Sequence, residues 1–327
     1  MPQLNGKEVG SIGFGLMGLT RSDVPEERAF ATLRKALETG CNAWNGGEFY
    51  GTPDNNSLTL LNKYFAKYPE DAEKVSLNIK GCVLPGLVID ASKDQVYKSV
   101  NNCIEMLGDK KKIDVFEPAR RDAKVPLEET LGAFEELRKE GKIGGVALSE
   151  VNANSIREAA RITKIQSVEI ELSLWATEPL TNGILQACKE HDIPVLAYGP
   201  VGQGMLAGKY KSFDDLPADD YKRHFPRFQP GNFEKNLELV HTLEKFAKKK
   251  NCTPAQLAIN WVLTLSKRPD MPVIIPIPGA TTVERVEENS KIVEITEEEM
   301  QELDKILASF DVVGTRYPEH VMHMTNT

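Results

Sequence analysis

The sequence predicts a single (β/α)8 barrel of the TIM type, one domain over residues 1–327, and three observations support this. Short apolar runs of strand length recur eight times: within 11–18, then at 41–45, 75–80, 113–116, 143–148, 165–169, 195–198 and 273–275. Segments with helical spacing lie between them. No linker, internal repeat or low-complexity stretch interrupts the series, so the alternation reads as parallel strands joined by crossover helices, and eight of them point to a closed sheet.

The elements follow in order. After the first run comes a polar loop, Arg21-Ser22-Asp23, and a helix over 27–39 with Phe30, Leu33, Ala36 and Leu37 on one stripe. Strand 41–45 leads to helix 58–68. Strand 75–80 precedes helix 93–107, where Val96, Val100, Cys103, Ile104 and Leu107 align and Ser92 with Gln95 has capping-box spacing. Strand 113–116 is followed by helix 126–138, which opens on Pro126 and stops at the Gly141 region. Strand 143–148, helix 153–161, strand 165–169, helix 180–191 and strand 195–198 continue the pattern. The insertion 202–232 is rich in Gly, Pro, Asp and aromatics without a long apolar stripe, and is read as a functional loop over the barrel mouth. Amphipathic helices at 236–249 and 253–264, and the eighth strand, complete the order. The tail 311–327 reads equally as a cover over the mouth or as a disordered end.

Composition narrows the partners. A net charge of −8 and a pI near 5.4, with no basic cluster interleaved with aromatics, exclude nucleic acid as an expected partner. Cys41, Cys82, Cys103, Cys188 and Cys252 are scattered without CxxC spacing, so reduced thiols in the cytoplasm are expected, with neither disulfide framework nor structural zinc. No apolar run reaches the roughly 18 residues that span a bilayer. Met1 to Lys7 is polar, so no signal peptide is expected.

In a barrel of this kind, chemistry gathers where strands end. Those positions here are polar: Asn45 to Tyr50, Lys80, Glu117 to Arg121, Ser149-Glu150, Glu169 to Glu171, Tyr198 to Gly204 and Pro278 to Arg285. Tyr50 closes the turn Asn45-Gly46-Gly47-Glu48-Phe49-Tyr50-Gly51, and Lys80 ends the neighbouring strand. A phenol with a pKa of roughly 10 serves as a proton donor near neutrality when a cation makes its phenolate accessible. An ammonium about 4–6 Å away lowers such a pKa by about 1–3 pH units. On spacing alone, a loop tyrosine and a solvated lysine read as well.

Longer motifs carry a resemblance. Gly13-Phe14-Gly15-Leu16-Met17-Gly18, Glu48-Phe49-Tyr50-Gly51, Lys80, Pro126-Leu127-Glu128-Glu129-Thr130, Leu148-Ser149-Glu150, Ser173-Leu174-Trp175, Gly204-Met205-Leu206-Ala207-Gly208-Lys209, Pro226-Arg227-Phe228 and Glu284-Arg285-Val286-Glu287-Glu288-Asn289 together resemble the aldo-keto reductases. The turn at Tyr50 and the run Phe116-Glu117-Pro118-Ala119-Arg120-Arg121 most resemble the fungal pyridoxal reductases within that family. The resemblance implies reduction of a small-molecule aldehyde by NADPH bound without a Rossmann fold, with Tyr50 as proton donor and Lys80 tuning it.

Two departures stand out against the tetrad of Asp, Tyr, Lys and His that the resemblance implies. Asn45 occupies the aspartate position, so it is expected to orient Lys80 as a hydrogen-bond acceptor but to supply no counter-charge, which predicts an ammonium freer to acidify Tyr50. Ala119 occupies the histidine position, and none of His191, His224, His241, His320 and His323 falls nearby, so Arg120 is the candidate replacement donor. For the cofactor, the resemblance implies contacts from Gly15, Leu16 and Met17, stacking by Tyr198, and a carboxamide held by Ser149 and Glu169. It further implies pyrophosphate contacts from Gly199, Pro200, Val201, Gly202 and Gly204. The adenosine end would lie on Gly279, Ala280, Thr281, Thr282, Arg285, Glu288 and Asn289, with Arg285 pairing a 2′-phosphate.

The rivals are weaker. The glycine pattern at 13–18 opens no helix and no acid ends the next strand, against a Rossmann unit. No tyrosine has a lysine four residues later, against a short-chain dehydrogenase. His320 and His323 lack companions for a metal site. A non-catalytic NADPH sensor on the same barrel remains as the alternative.

Overall fold

The computed structural model describes residues 1–21, 23–218 and 220–327. Ser22, in the polar loop expected before the first helix, and Asp219, in the expected mouth loop, lie outside the described residues. Eight strands form one parallel sheet in chain order: Phe14–Gly15, Ala43–Gly47, Ser76–Gly81, Val115–Pro118, Val146–Ser149, Ile165–Glu171, Val195–Tyr198 and Ile274–Pro276. These are called strands one to eight below. The amides of Gly13 and Gly15 donate to the carbonyls of Pro276 (2.9 Å) and Pro278 (3.2 Å), which joins strand one to the end of strand eight and closes the barrel.

An unpredicted hairpin, Gln3–Leu4 against Lys7–Glu8, plugs the far end. Leu4 and Val9 pack there with Ala43, Leu196, Ile275 and Ile277. A larger apolar layer fills the space between sheet and helices, with Trp44, Phe65, Phe116, Phe134 and Trp261 almost wholly buried. Burial of this kind contributes about 25 cal/mol per Å² of apolar surface, which makes the layer the main driving force for folding.

The helical expectations hold with shifts of a turn or less at most ends. Helices Glu26–Glu38, Ser57–Lys67, Lys93–Leu107, Leu127–Lys139 and Ala153–Ile162 follow strands one to five. The expected helix 180–191 is broken: a short 3-10 turn at Glu178–Leu180 is separated from Ile184–Glu190 by Gly183, whose φ of 86° no right-handed helix accommodates. Ser92 makes no side-chain cap; Asp90 accepts from the Ser92 amide (3.0 Å) and Glu129 from the Lys93 amide (3.2 Å). Asn232–Lys249 begins a turn earlier than its stripe, and Pro254–Leu265 carries a full capping box between Thr253 and Gln256. Two helices beyond the expected elements follow strand eight, Val283–Asn289 and Glu297–Ala308, the second opened by a capping box between Thr296 and Glu299.

The mouth is built from three additions. The insertion 202–232 forms a chain of 3-10 turns. A small ribbon, Val83–Leu84 against Val88–Ile89, rises after strand three. The tail crosses the mouth, stapled by Arg227, which donates to the carbonyls of Trp175 (2.6 Å) and Gly314 (3.1 Å) and pairs with Glu178 at 3.0 Å. Gly314 has φ 92°, and a Cβ there would stand 2.8 Å from the Pro226 carbonyl carbon, so the crossing needs a glycine.

Candidate active site

Register sets the polar floor of the mouth. Strands two and three pair Asn45 with Asn78 and Gly47 with Lys80, and strands three and four pair Lys80 with Glu117. Strand six adds Glu169 opposite Ser149. Asn45, Lys80, Glu117 and Glu169 are 3%, 2%, 0% and 3% exposed, so four polar or charged side chains share a water-poor site. Lys80 Nζ donates to Glu169 Oε1 at 2.8 Å and to Oε2 at 2.9 Å, and to the amide oxygen of Asn45. The Asn45 NH2 in turn donates to Glu169 Oε2. Glu117 Oε1 lies 4.0 Å from the ammonium and accepts from Asn78 at 3.3 Å.

Asn45 accepts from Lys80 as expected, but the expected loss of a counter-charge is corrected by Glu169. Burial opposes the Lys80 charge more strongly than any one neighbour favours it, but Glu169, with help from Tyr50 and Glu117, more than offsets that and holds the ammonium above the ordinary lysine range. Glu169, expected on a nicotinamide carboxamide, lines the cavity described below and makes its hydrogen bonds to Lys80 and Asn45. Burial also drives Glu117 well above the usual carboxylate range, reinforced by the nearby Glu169 carboxylate and only partly offset by Lys80. Tyr50 lies over this cluster with the Lys80 ammonium 5.2 Å from its ring centroid. Its pKa moves opposite to expectation. Burial raises it, and the lowering by Lys80 only partly offsets that, so the phenol is firmly protonated at neutral pH.

Above the floor is a cavity of about 590 Å³, within the roughly 300–1,000 Å³ of ordinary ligand clefts. Asn45, Tyr50, Lys80 and Arg120 all line it, as do Gly15, Leu16, Met17, Glu169, Tyr198, Gly199, Pro200, Val201, Gly204, Gly279, Ala280, Thr281, Arg285 and Asn289. Ser149, Gly202 and Glu288 do not. Ser149 Oγ is buried without a partner among the described residues, Gly202 is covered by Trp175 and Leu206, and Glu288 forms an ion pair with Arg285. Thr282 caps the helix Val283–Asn289. Arg120 Nη1 donates to the carbonyl of Ala119 at 2.6 Å, whereas Arg121 turns away and donates to Ser155 at 2.8 Å.

The sequence reading missed much of the lining. Arg21, Gln203, Lys209 and Tyr210 reach the cavity from the first and seventh strand ends, and Val83, Leu87 and Ile89 from the ribbon. Tyr221 and Phe225 come from the insertion, and Tyr317, Val321 and Met324 from the tail. Aromatic residues crowded into the insertion were the available signal for the first pair; the tail carries no periodic pattern.

A second buried cluster ties the tail down. Arg316 donates from Nη1 to Glu150 Oε1 (3.0 Å) and from Nη2 to Oε2 (2.7 Å), and from Nη1 to Glu171 Oε2 (3.0 Å). Tyr198 donates to Glu150 Oε1 at 2.8 Å, and its oxygen is 3.0 Å from that of Tyr317. Burial alone would raise the Glu150 carboxyl, but the Arg316 fork lowers it below the usual range. Thr327 reinforces the clasp: its amide donates to the Glu150 carbonyl (3.1 Å) and its carbonyl accepts from Asn152 (2.9 Å).

Comparison with known proteins agrees with this architecture. A model of the aldo/keto reductase family matches residues 11–308. The chain is 40% identical to a probable pyridoxal reductase 2 of Schizosaccharomyces pombe, over 97% of both proteins. It is 35% identical to a putative pyridoxal reductase of Saccharomyces cerevisiae, over 93% of this chain and 95% of the other. A glycerol dehydrogenase from Gluconobacter oxydans shares the fold, with a TM-score of 0.81 over 96% of each chain at 23% identity.

Proposed function

Because the chain belongs to the aldo/keto reductase family and is an oxidoreductase, we propose that it reduces an aldehyde to a primary alcohol with NADPH, pyridoxal to pyridoxine being the best-supported pair. The observation that carries this is the protonated Tyr50 lying beside the Lys80 ammonium, 5.2 Å from ring centroid to Nζ, on the lining of a large cavity. On this reading the whole chain works as one barrel, with the loop 202–232 and the tail 311–327 shaping its substrate end.

The residues present fit a dinucleotide. The cavity runs from Tyr50 to Arg285 and Asn289, and Gln203 Oε1 is buried in its wall without a partner among the described residues. Gly199, Pro200, Val201, Gly204 and Gln203 would hold the pyrophosphate, Tyr198 the nicotinamide, and Thr281, Arg285 and Asn289 the adenosine end. Arg285, released from Glu288, would meet a 2′-phosphate. When bound, the nicotinamide supplies the hydride that reaches the carbonyl carbon.

The chain's own residues supply the proton. As negative charge grows on the carbonyl oxygen, Tyr50 Oη gives up its proton and the alcohol O–H forms. The phenolate left behind is stabilised by Lys80, which Glu169 keeps charged. Arg120, the cation at the place of the missing imidazole, would hold the carbonyl oxygen or a ring substituent. With Arg121 directed at Ser155, no second cation of strand four serves a substrate phosphate, so pyridoxal phosphate should be the poorer substrate.

Tyr50→Phe should lower kcat for pyridoxal by about 10²- to 10⁴-fold while NADPH binding, followed by fluorescence, survives. An undiminished rate would refute the assignment. A wild-type protein that perturbs NADPH fluorescence yet shows no steady loss of absorbance with any aldehyde would favour the sensor reading.

A further inference from the structure

We infer that Glu169 is the counter-ion of Lys80, a positioning residue that performs from strand six the task an aspartate at position 45 would perform from strand two. The inference rests on the proposed role of Tyr50 as the acid. Its ground is the directionality of the Lys80, Asn45, Glu169 triangle. Lys80 donates to both oxygens of Glu169, and Asn45 accepts from Lys80 through Oδ1 while donating through Nδ2 to Glu169 Oε2. The opposite amide orientation would set the Asn45 NH2 against the ammonium.

Positions 45 and 169 therefore form a matched acid and amide. One supplies the negative charge and the other bridges charge to charge. Two acids would bring carboxylate oxygens into contact in a site where all three side chains are at most 3% exposed. Two amides would leave the ammonium without a directly bonded anion, since Glu117 stands off at 4.0 Å. The chemistry needs one of each, and the triangle is indifferent to which strand carries the acid. Lys80 orients the phenolate only while its own ammonium is held, so the choice of acid acts on proton transfer through Lys80 and not by contact with substrate.

The test is a charge relocation. Three variants are compared with the wild type: Glu169→Gln, Asn45→Asp, and the two combined. Each is read for kcat and KM with pyridoxal, for the pH dependence of kcat, for NADPH dissociation by fluorescence, and for the melting temperature without cofactor. Glu169→Gln should lower kcat by about 10- to 100-fold and the apo melting temperature by roughly 3–7 °C, with NADPH affinity within about threefold. Asn45→Asp should require higher pH for full activity, because a proton is shared between two facing carboxyls. The combined variant should recover both kcat and melting temperature to near wild type.

A combined variant no better than Glu169→Gln in either readout would overturn the inference. So would a Glu169→Gln protein with full kcat and weakened NADPH binding, which would assign the carboxylate to the cofactor. If Glu169→Gln does not fold, recovery of folding in the combined variant supports the pairing and its failure overturns it. Should Tyr50→Phe remain active, the function reading falls whatever the relocation shows; should Tyr50→Phe be inactive while relocation fails, only the present inference falls.

Discussion

Lys80 and Arg316 are both buried cations at the same end of the barrel, each held by glutamates, yet they are installed in opposite ways. Lys80 takes its partners from strands: Glu169 on strand six and Glu117 on strand four, with all three side chains aimed by sheet register. Arg316 takes Glu150 and Glu171 from the ends of strands five and six but is itself carried by an irregular tail. Barrel closure is enough to assemble the first cluster. The second forms only if the tail docks, and without it Glu150 and Glu171 would be two buried acids lacking their cation. The contrast sets a cluster fixed by the sheet against one that depends on the tail, whose Tyr317, Val321 and Met324 also line the cavity.

The largest effect should come from Lys80→Met. Removal of the cation next to Tyr50 should cost about 10²- to 10⁴-fold in kcat, measured by steady-state NADPH oxidation with pyridoxal, whereas the tail cluster should be unaffected. Arg316→Ala should reverse the emphasis. Loss of one partner from a buried pair costs roughly 3–5 kcal/mol of stability, visible in urea unfolding, while kcat of the folded fraction falls less than for Lys80→Met and KM rises. Equal kcat losses in the two variants would erase the distinction drawn between them.

Acid should sharpen it. Glu150 has a folded pKa below its unfolded value, so its contribution is present above the ordinary glutamate range and lost as pH falls through the lowered value. In Arg316→Ala, burial is opposed only by the Arg120 charge and the Tyr198 hydrogen bond, so Glu150 accepts a proton more readily than in the wild type. The stability gap between wild type and Arg316→Ala should therefore narrow as pH drops below about 4. A gap that widens in acid would contradict the fork as the cause. Glu117→Gln should give the smallest effect. The folded pKa of Glu117 is raised, so its contribution is complete below the ordinary glutamate range and lost as pH rises toward its own value. The neutral replacement should thus be near-silent in mild acid and stabilising by about 1 kcal/mol or more in alkali, measured by urea midpoints across pH.

The two clusters also mark where the sequence could be read. Strand ends announce themselves, because an apolar run stops at a polar residue, and Asn45, Tyr50, Lys80 and Arg120, which all line the cavity, stand at or just beyond such ends. What an individual strand-end residue touches across the barrel is another matter. The resemblance puts Glu169 on the cofactor, and nothing in the sequence points to the hydrogen bond that it accepts from Asn45, 124 residues away. The Asn45 substitution was legible as a loss; its compensation was not. Arg316 is harder still. A single arginine in a tail without hydrophobic period gives no local signal, and its partner Glu150 is 166 residues away. Gly183 was legible in principle as a helix breaker, but its effect was masked by apolar spacing on both sides.

Placement of the anion on strand six has a consequence for how the molecule is assembled. An aspartate on strand two would satisfy Lys80 within the first four strands, and that half could bury the lysine by itself. Here the first half carries an ammonium whose bonded carboxylate arrives 89 residues later. A half-barrel intermediate must either keep Lys80 in water or hold it next to the raised Glu117, so the two halves gain from docking together rather than one after the other. The same pair thus links strand three to strand six, so cooperative assembly of the barrel is tied to the residue on which the proposed proton delivery depends.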